Sequence, residues 1–294
     1  MPHTTIKNSI LDTHDKPSQT LLDLLDLLKT PHDGSLQSIV TATQKAWLRQ
    51  SGKERWQVDE LYPEMRETLT PYFKELGLFD EIKPSKKHYD YIVLLGSTVS
   101  SFRDKMAHMI TLWQRGIRFN QVIMLGSERK LDPIIESKEI LLDAQNPYLP
   151  VRADWHYDSK PITTEYEMLK MVYDQADLPA ELRAIPVTTI NAPNTINPDG
   201  AVKRATTDDT IFAWLKENPT PGSSLFISHQ PFIWYQDSAV RTFMPETFEI
   251  ETVCPKIERE SGSPLCENGV KANLEILDAL ARFLYQENLR VQKR

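Results

Sequence analysis

Two rhythms of apolar residues divide the chain. From Thr20 to Lys29 (TLLDLLDLLK) leucines recur at helical spacing with aspartates between them, the pattern of an amphipathic helix. Ser35 is placed to cap a second helix running to about Gln50. A third is expected from Asp59 to Leu76, interrupted by Pro63 and Pro71 and stopped at Gly77. The polar link Lys83–His88 (KPSKKH) closes this region. It sets the expected boundary between a helical N-terminal extension, residues 1–87, and an α/β domain with a long C-terminal helix, residues 88–294.

Beyond the link the rhythm changes. Tyr89–Leu95 (YDYIVLL) and Phe119–Leu125 (FNQVIML) are short apolar runs, and Ile185–Ile190, Ser224–Ser228 (SLFIS) and Phe248–Val253 (FEIETV) read as further strands. Strands covered on both faces need such runs. Helical periodicity lies between them, at Val99–Arg115, Thr164–Gln175 and Thr207–Glu217. Caps are offered by Thr163 or Thr164 and by Thr206 or Thr207. Pro231–Phe243 and Asn268–Leu289 read as further helices. The alternation predicts an open, doubly wound, mostly parallel α/β sheet of Rossmann-like type, with right-handed crossovers, rather than a closed barrel.

Length and charge narrow the picture. A chain of 294 residues has room for one large or two modest domains. A formal net charge of −7 argues against a general nucleic-acid or anionic-membrane surface. Met1–Lys16 is polar and shows no signal-peptide core, and no apolar run approaches the ~20 residues of a membrane span. The expectation is a soluble, cytoplasmic protein, with export by a signal-independent route left open. Cys254 and Cys266 fit no zinc-ligand spacing and are read as reduced, a disulfide between them being the alternative.

In doubly wound sheets, ligands bind beyond the carboxyl ends of the strands. The candidates are therefore the residues that follow each run. These are Gly96, Ser97 and Thr98 after the first, Gly126, Ser127 and Glu128 after the second, Asn191 and Asn194 after the third, and Ser228, His229 and Gln230 after the fourth. Glycine at two such corners lets backbone approach a ligand, and a following helix offers free N–H groups to an anion. The structural alternative is that the glycines only make tight turns. Glu165, in the first turn of its helix, is a candidate ligand or base, or else a helix-dipole partner. Arg103, Arg204 and Arg241 could form a cationic rim for phosphate or carboxylate. Walker A, dinucleotide and Gly-x-Ser-x-Gly motifs are absent. Asp154, His156 and Asp158 alternate in DWHYD, but such spacing in a loop is weak support for a metal, and none is predicted.

The order of these features resembles the YdcF/SanA-like family, bacterial domains of Rossmann-like fold. Tyr91–Gly96 resembles its opening strand and glycine, and Arg103 with Ala107 its first helix. Gly116 and Val122–Ser127 resemble its "G…I..SGG" passage, with serine in place of the second glycine. Thr164, Glu165 and Met168 resemble its "SEA..M" helix start, and Leu178-Pro179 its "G-I-P" turn. Thr206–Thr210 stands where the family has "T-x-E-N-A", with Asp208 and Asp209 replacing Glu-Asn. Leu225–His229 resembles its "VTSxYH" strand end, and Arg241 its later arginine. The resemblance covers roughly residues 89–255 and makes the chain a divergent member. It implies a nucleotide-like ligand, and some members are linked to S-adenosylmethionine or to envelope maintenance.

Three readings follow. The first is a small-molecule binding protein or enzyme taking a nucleotide-like ligand such as S-adenosylmethionine. Gly96, Ser97, Thr98, Gly126, Ser127, Thr164, Thr207, Asp208 and Ser228 would lie around it, Arg103 and Arg241 would hold an anion, and Glu165 would bind a hydroxyl or act as base. The second is a hydrolase or transferase acting on a phosphorylated carrier through Ser228, His229 and either Glu165 or Asp208. Ser228 and His229 are neighbours on an extended chain and point apart, which counts against a simple serine nucleophile. The third is an interaction protein that works through a partner of its N-terminal helices.

Overall fold

The computed structural model describes residues 9–49, 53, 57–197, 200–256, 266–267, 270–271 and 273–292. In chain order the helices are α1 (Gln19–Leu27), α2 (Leu36–Ala46), α3 (Arg66–Glu75), α4 (Val99–Gln114), α5 (Lys138–Leu142), α6 (Glu165–Gln175), α7 (Ala180–Arg183), α8 (Thr207–Lys216), α9 (Ile233–Phe243) and α10 (Asn273–Gln292). The main strands are β1 (His88–Leu95), β2 (Arg118–Ser127), β3 (Val187–Ala192), β6 (Ser223–Ile227) and β7 (Glu249–Val253). Two short hairpins complete the set, β4 (Thr195–Ile196) with β5 (Val202–Lys203), and β8 (Cys266–Glu267) with β9 (Val270–Lys271).

These elements fall into two compact units. One comprises the described residues of Met1–Ile82, Gln230–Thr242 and Pro255–Arg294, and the other Lys83–His229 with Phe243–Cys254. The C-terminal helix thus groups with the N-terminal helices, whereas the sequence reading joins it to the sheet. In the first unit, the Ser18 and Ser35 hydroxyls accept from the Leu21 and Ser38 amides and start α1 and α2. Pro63 begins a short 3-10 turn, and Pro71 lies inside α3. Gln44 of α2 donates to the Ala281 carbonyl of α10 at 2.9 Å. The expected ends of helices at Gln50 and Asn268 lie outside the described residues, as does the side chain of Cys266 and with it any pairing to Cys254. Among the described residues no helix is long and apolar enough to cross a membrane.

The second unit is an α/β fold built on a five-stranded sheet of order β3-β2-β1-β6-β7, parallel at every pairing. The chain winds outward from β1 through β2 to β3. It then returns to lay β6 against the other side of β1, so the winding direction reverses between β1 and β6. Ile92, Leu94, Val122, Met124, Leu225 and Ile227 turn one face toward Phe102, Met106 and Met109 of α4 and Met168, Leu169 and Val172 of α6. The opposite face carries Tyr91 and Phe226, whose rings lie 5.5 and 6.3 Å from that of Trp214 in α8. Burial on both faces is why these strands read as unbroken apolar runs. Gly116, at φ 86°, takes the left-handed turn that ends α4 and lets the chain enter β2. β3 starts two residues later than its apolar run suggests. Pro186 has no N–H for the ladder, although its carbonyl accepts from Val122 at 2.9 Å.

Candidate functional site

β1 ends opposite Leu125, two residues before the end of β2. Leu95 pairs with Leu125, and the next residues are Gly96 and Gly126. A Cβ on Gly96 would stand 2.6 Å from the Leu125 carbonyl oxygen and 2.9 Å from Glu165 Oε1. On Gly126 it would stand 2.8 Å from Leu169 Cδ1 and 3.2 Å from Tyr166 Cα. Both glycines therefore make room for the start of α6, which comes down onto the strand ends. Ligand approach is not what fixes Gly126.

Thr164 starts that helix. Its hydroxyl accepts from the Glu167 amide at 3.4 Å, while the Glu167 carboxylate accepts from the Thr163 and Thr164 amides at 2.7 and 3.0 Å. This capping box occupies Thr164 and Glu167 and leaves Glu165 to turn toward the sheet. Thr164→Ala is expected to cost about 1 kcal/mol in urea unfolding. A much larger loss would mean that Thr164 also supports Glu165.

Glu165 sits in a buried set of charges. The Ser127 hydroxyl donates to Glu165 Oε2 at 2.6 Å, and Arg129 Nε lies 3.6 Å from Oε1. The Arg129 fork is bidentate to Glu136, Nη1 to Oε2 at 2.6 Å and Nη2 to Oε1 at 2.8 Å. Arg129 Nη2 also donates to the Ser97 carbonyl at 3.1 Å, so the corner after β1 is tied to the loop after β2. Beneath them Lys105, fully buried on α4, donates to the carbonyls of Leu95 at 2.6 Å and Gly96 at 3.4 Å. Burial drives the Lys105 ammonium down to about 7, against the opposing pull of the Glu165 charge.

The other candidates are spread more widely. Gly96, Ser97 and Thr98 are half-buried at the β1–α4 corner, where Thr98 is the N-cap position but makes no side-chain cap bond. Ile227 pairs with Leu94, so Ser228 and His229 follow β6 beside that same corner, Ser228 buried and His229 half-buried. Thr207 and Asp208 lie in the first turn of α8, but the cap is Thr206, whose hydroxyl donates to Asp208 and Asp209. Arg103 is buried. It donates to the Ile140 and Leu141 carbonyls at 3.0 and 2.8 Å and to Gln175 Oε1 at 3.0 Å, and burial lowers it to about 10. Its guanidinium therefore holds α5 in place. Arg241 belongs to the other unit and pairs with Asp237 at 2.7 Å, and Arg204 is exposed. Asp154, His156 and Asp158 are exposed. Among the described residues no group of three or more His, Cys, Asp or Glu is placed to hold a metal.

Lys105, Arg129 and Glu136 escape the sequence reading. Lys105 had a signal. It stands three residues after Phe102 and four before Met109, on the apolar stripe of α4. Arg129 and Glu136 lie in a connecting segment without periodicity and gave none. The fold defines the second unit as an α/β domain with a Rossmann-like parallel sheet. Nothing matches the chain among family models, curated proteins or solved structures.

Proposed function

We propose that the sheet unit binds a nucleotide-like small molecule such as S-adenosylmethionine at the carboxyl ends of β1, β2 and β6, as a divergent member of the YdcF/SanA-like family. The observation that carries this reading is the placement of Glu165. Its carboxylate is held against Gly96, at the end of one of the two strands between which the winding reverses, with one oxygen engaged by Ser127. Open α/β sheets bind ligands at that reversal. Oε1 would accept from a ribose hydroxyl or an amine of the ligand. The first-turn amides of α4, a helix with no acidic side chain in that turn, would face its carboxylate or phosphate. Arg103 and Arg241, the cations expected to hold the anionic group of this ligand, are engaged within the protein, so in this reading that group falls to the α4 amides alone.

The test is a thermal-shift panel of S-adenosylmethionine, S-adenosylhomocysteine, AMP, ATP, ADP-ribose and an undecaprenyl-phosphate analogue. A ligand at about 100 times its Kd stabilises the native state by about 2.7 kcal/mol, a shift of several degrees. An adenosine compound is expected to give that shift in the wild type and lose it in Glu165→Gln. A protein that melts cooperatively with no shift from any compound would rule the reading out.

A further inference from the structure

A cleft of about 350 Å³ opens outside the strand-end site, between α5 and the segment that leads into α6. Its size falls within the range of small-molecule sites, roughly 300–1,000 Å³. Leu141, Leu142, Pro161 and Ile162 give it apolar walls, and Tyr157 adds a ring. Two charged residues line it. Glu136 is fully buried and its carboxylate is engaged by Arg129 and by the Asp132 amide at 2.9 Å, so it presents no open negative charge. Lys138 is exposed, with its ammonium 5.5 Å from the Tyr157 ring centroid. The cleft therefore combines apolar walls, an aromatic ring, one serine, Ser159, and one solvent-facing cation.

We infer that this cleft is a second binding site, for a small planar apolar acid. The carboxylate would pair with Lys138, and the ring would lie against Tyr157 and the aliphatic walls. Neutral analogues lose the ion pair, and cationic ones meet Lys138 as a like charge. The site needs neither Glu165 nor the strand-end ligand, so it stands independently of the function proposed above.

Titration calorimetry on the full chain tests it with three probes of one shape, 2-naphthoate, 2-naphthamide and 2-naphthylmethylamine. 2-Naphthoate is expected to bind saturably, about tenfold or more tighter than the amide. Lys138→Gln, a change at an exposed position, is expected to remove that preference without lowering the melting temperature. Tyr157→Leu is expected to weaken both naphthoate and naphthamide, and Glu165→Gln neither. Absence of saturable naphthoate binding, equal affinity for acid and amide, or a preference that survives Lys138→Gln would each overturn the assignment.

Discussion

Arg129→Met is expected to destabilise the sheet unit by about 3–5 kcal/mol, the usual cost of breaking a buried ion pair by removing one partner. Glu136 has no exposed side-chain surface, and Arg129 meets both of its oxygens. Glu165 is buried beside the same guanidinium. Without Arg129 two carboxylates stay in the interior with their main counter-charge gone, and the Ser97 carbonyl loses a donor. Urea unfolding followed by circular dichroism measures the loss. Replacing Arg129 and Glu136 together by methionine removes both charges of the pair and is expected to recover a large part of it. A loss under about 1 kcal/mol for Arg129→Met would put the pair in the class of surface ion pairs.

Lys105→Met is expected to abolish a rise of stability with pH. The Lys105 ammonium has an ordinary value of 10.5 and is lowered to about 7 in the folded chain. Between those values the unfolded chain binds the proton and the folded chain does not, so stability grows as pH rises. Below about 7 both states are protonated and the contribution is flat at its least favourable level. For the wild type the gain from this group is about 2 kcal/mol between pH 7 and 9. Denaturant midpoints across that interval measure it, in wild type and Lys105→Met. Parallel curves for the two proteins would show that Lys105 keeps its charge when folded. The interval stops short of the tyrosines, among which burial and the neighbouring Glu251 hold Tyr89 well above its usual range.

The inner strands were legible because a strand buried on both faces can carry no polar alternation. That pattern survives in YDYIVLL and FNQVIML without knowledge of neighbours. Strand limits were less so, since the start of β3 depends on what Pro186 cannot donate. The partner of α10 was not legible. An amphipathic stripe says that a helix is covered, not by what, and here α2 supplies cover. At the site, glycine at two strand ends and an acid at a helix start pointed to Gly96, Ser127 and Glu165. Arg103 read as a cation for a ligand because carbonyl acceptors such as Ile140 and Leu141 leave no trace in a sequence. The salt link from Arg129 to Glu136 is hidden because both residues stand in a connecting segment without periodicity.

The return of β6 to the side of β1 has a consequence for biosynthesis. Tyr91 finds its neighbour only when Ser224 has been made. At usual elongation rates β1 therefore spends roughly ten seconds or more after emerging with one edge open. The segment with that bare edge, Tyr91–Leu95, is fully apolar, and an open apolar edge is a template for pairing with another chain. The strand at the heart of the finished sheet is thus the one whose edge waits longest for its partner while the ribosome is still at work.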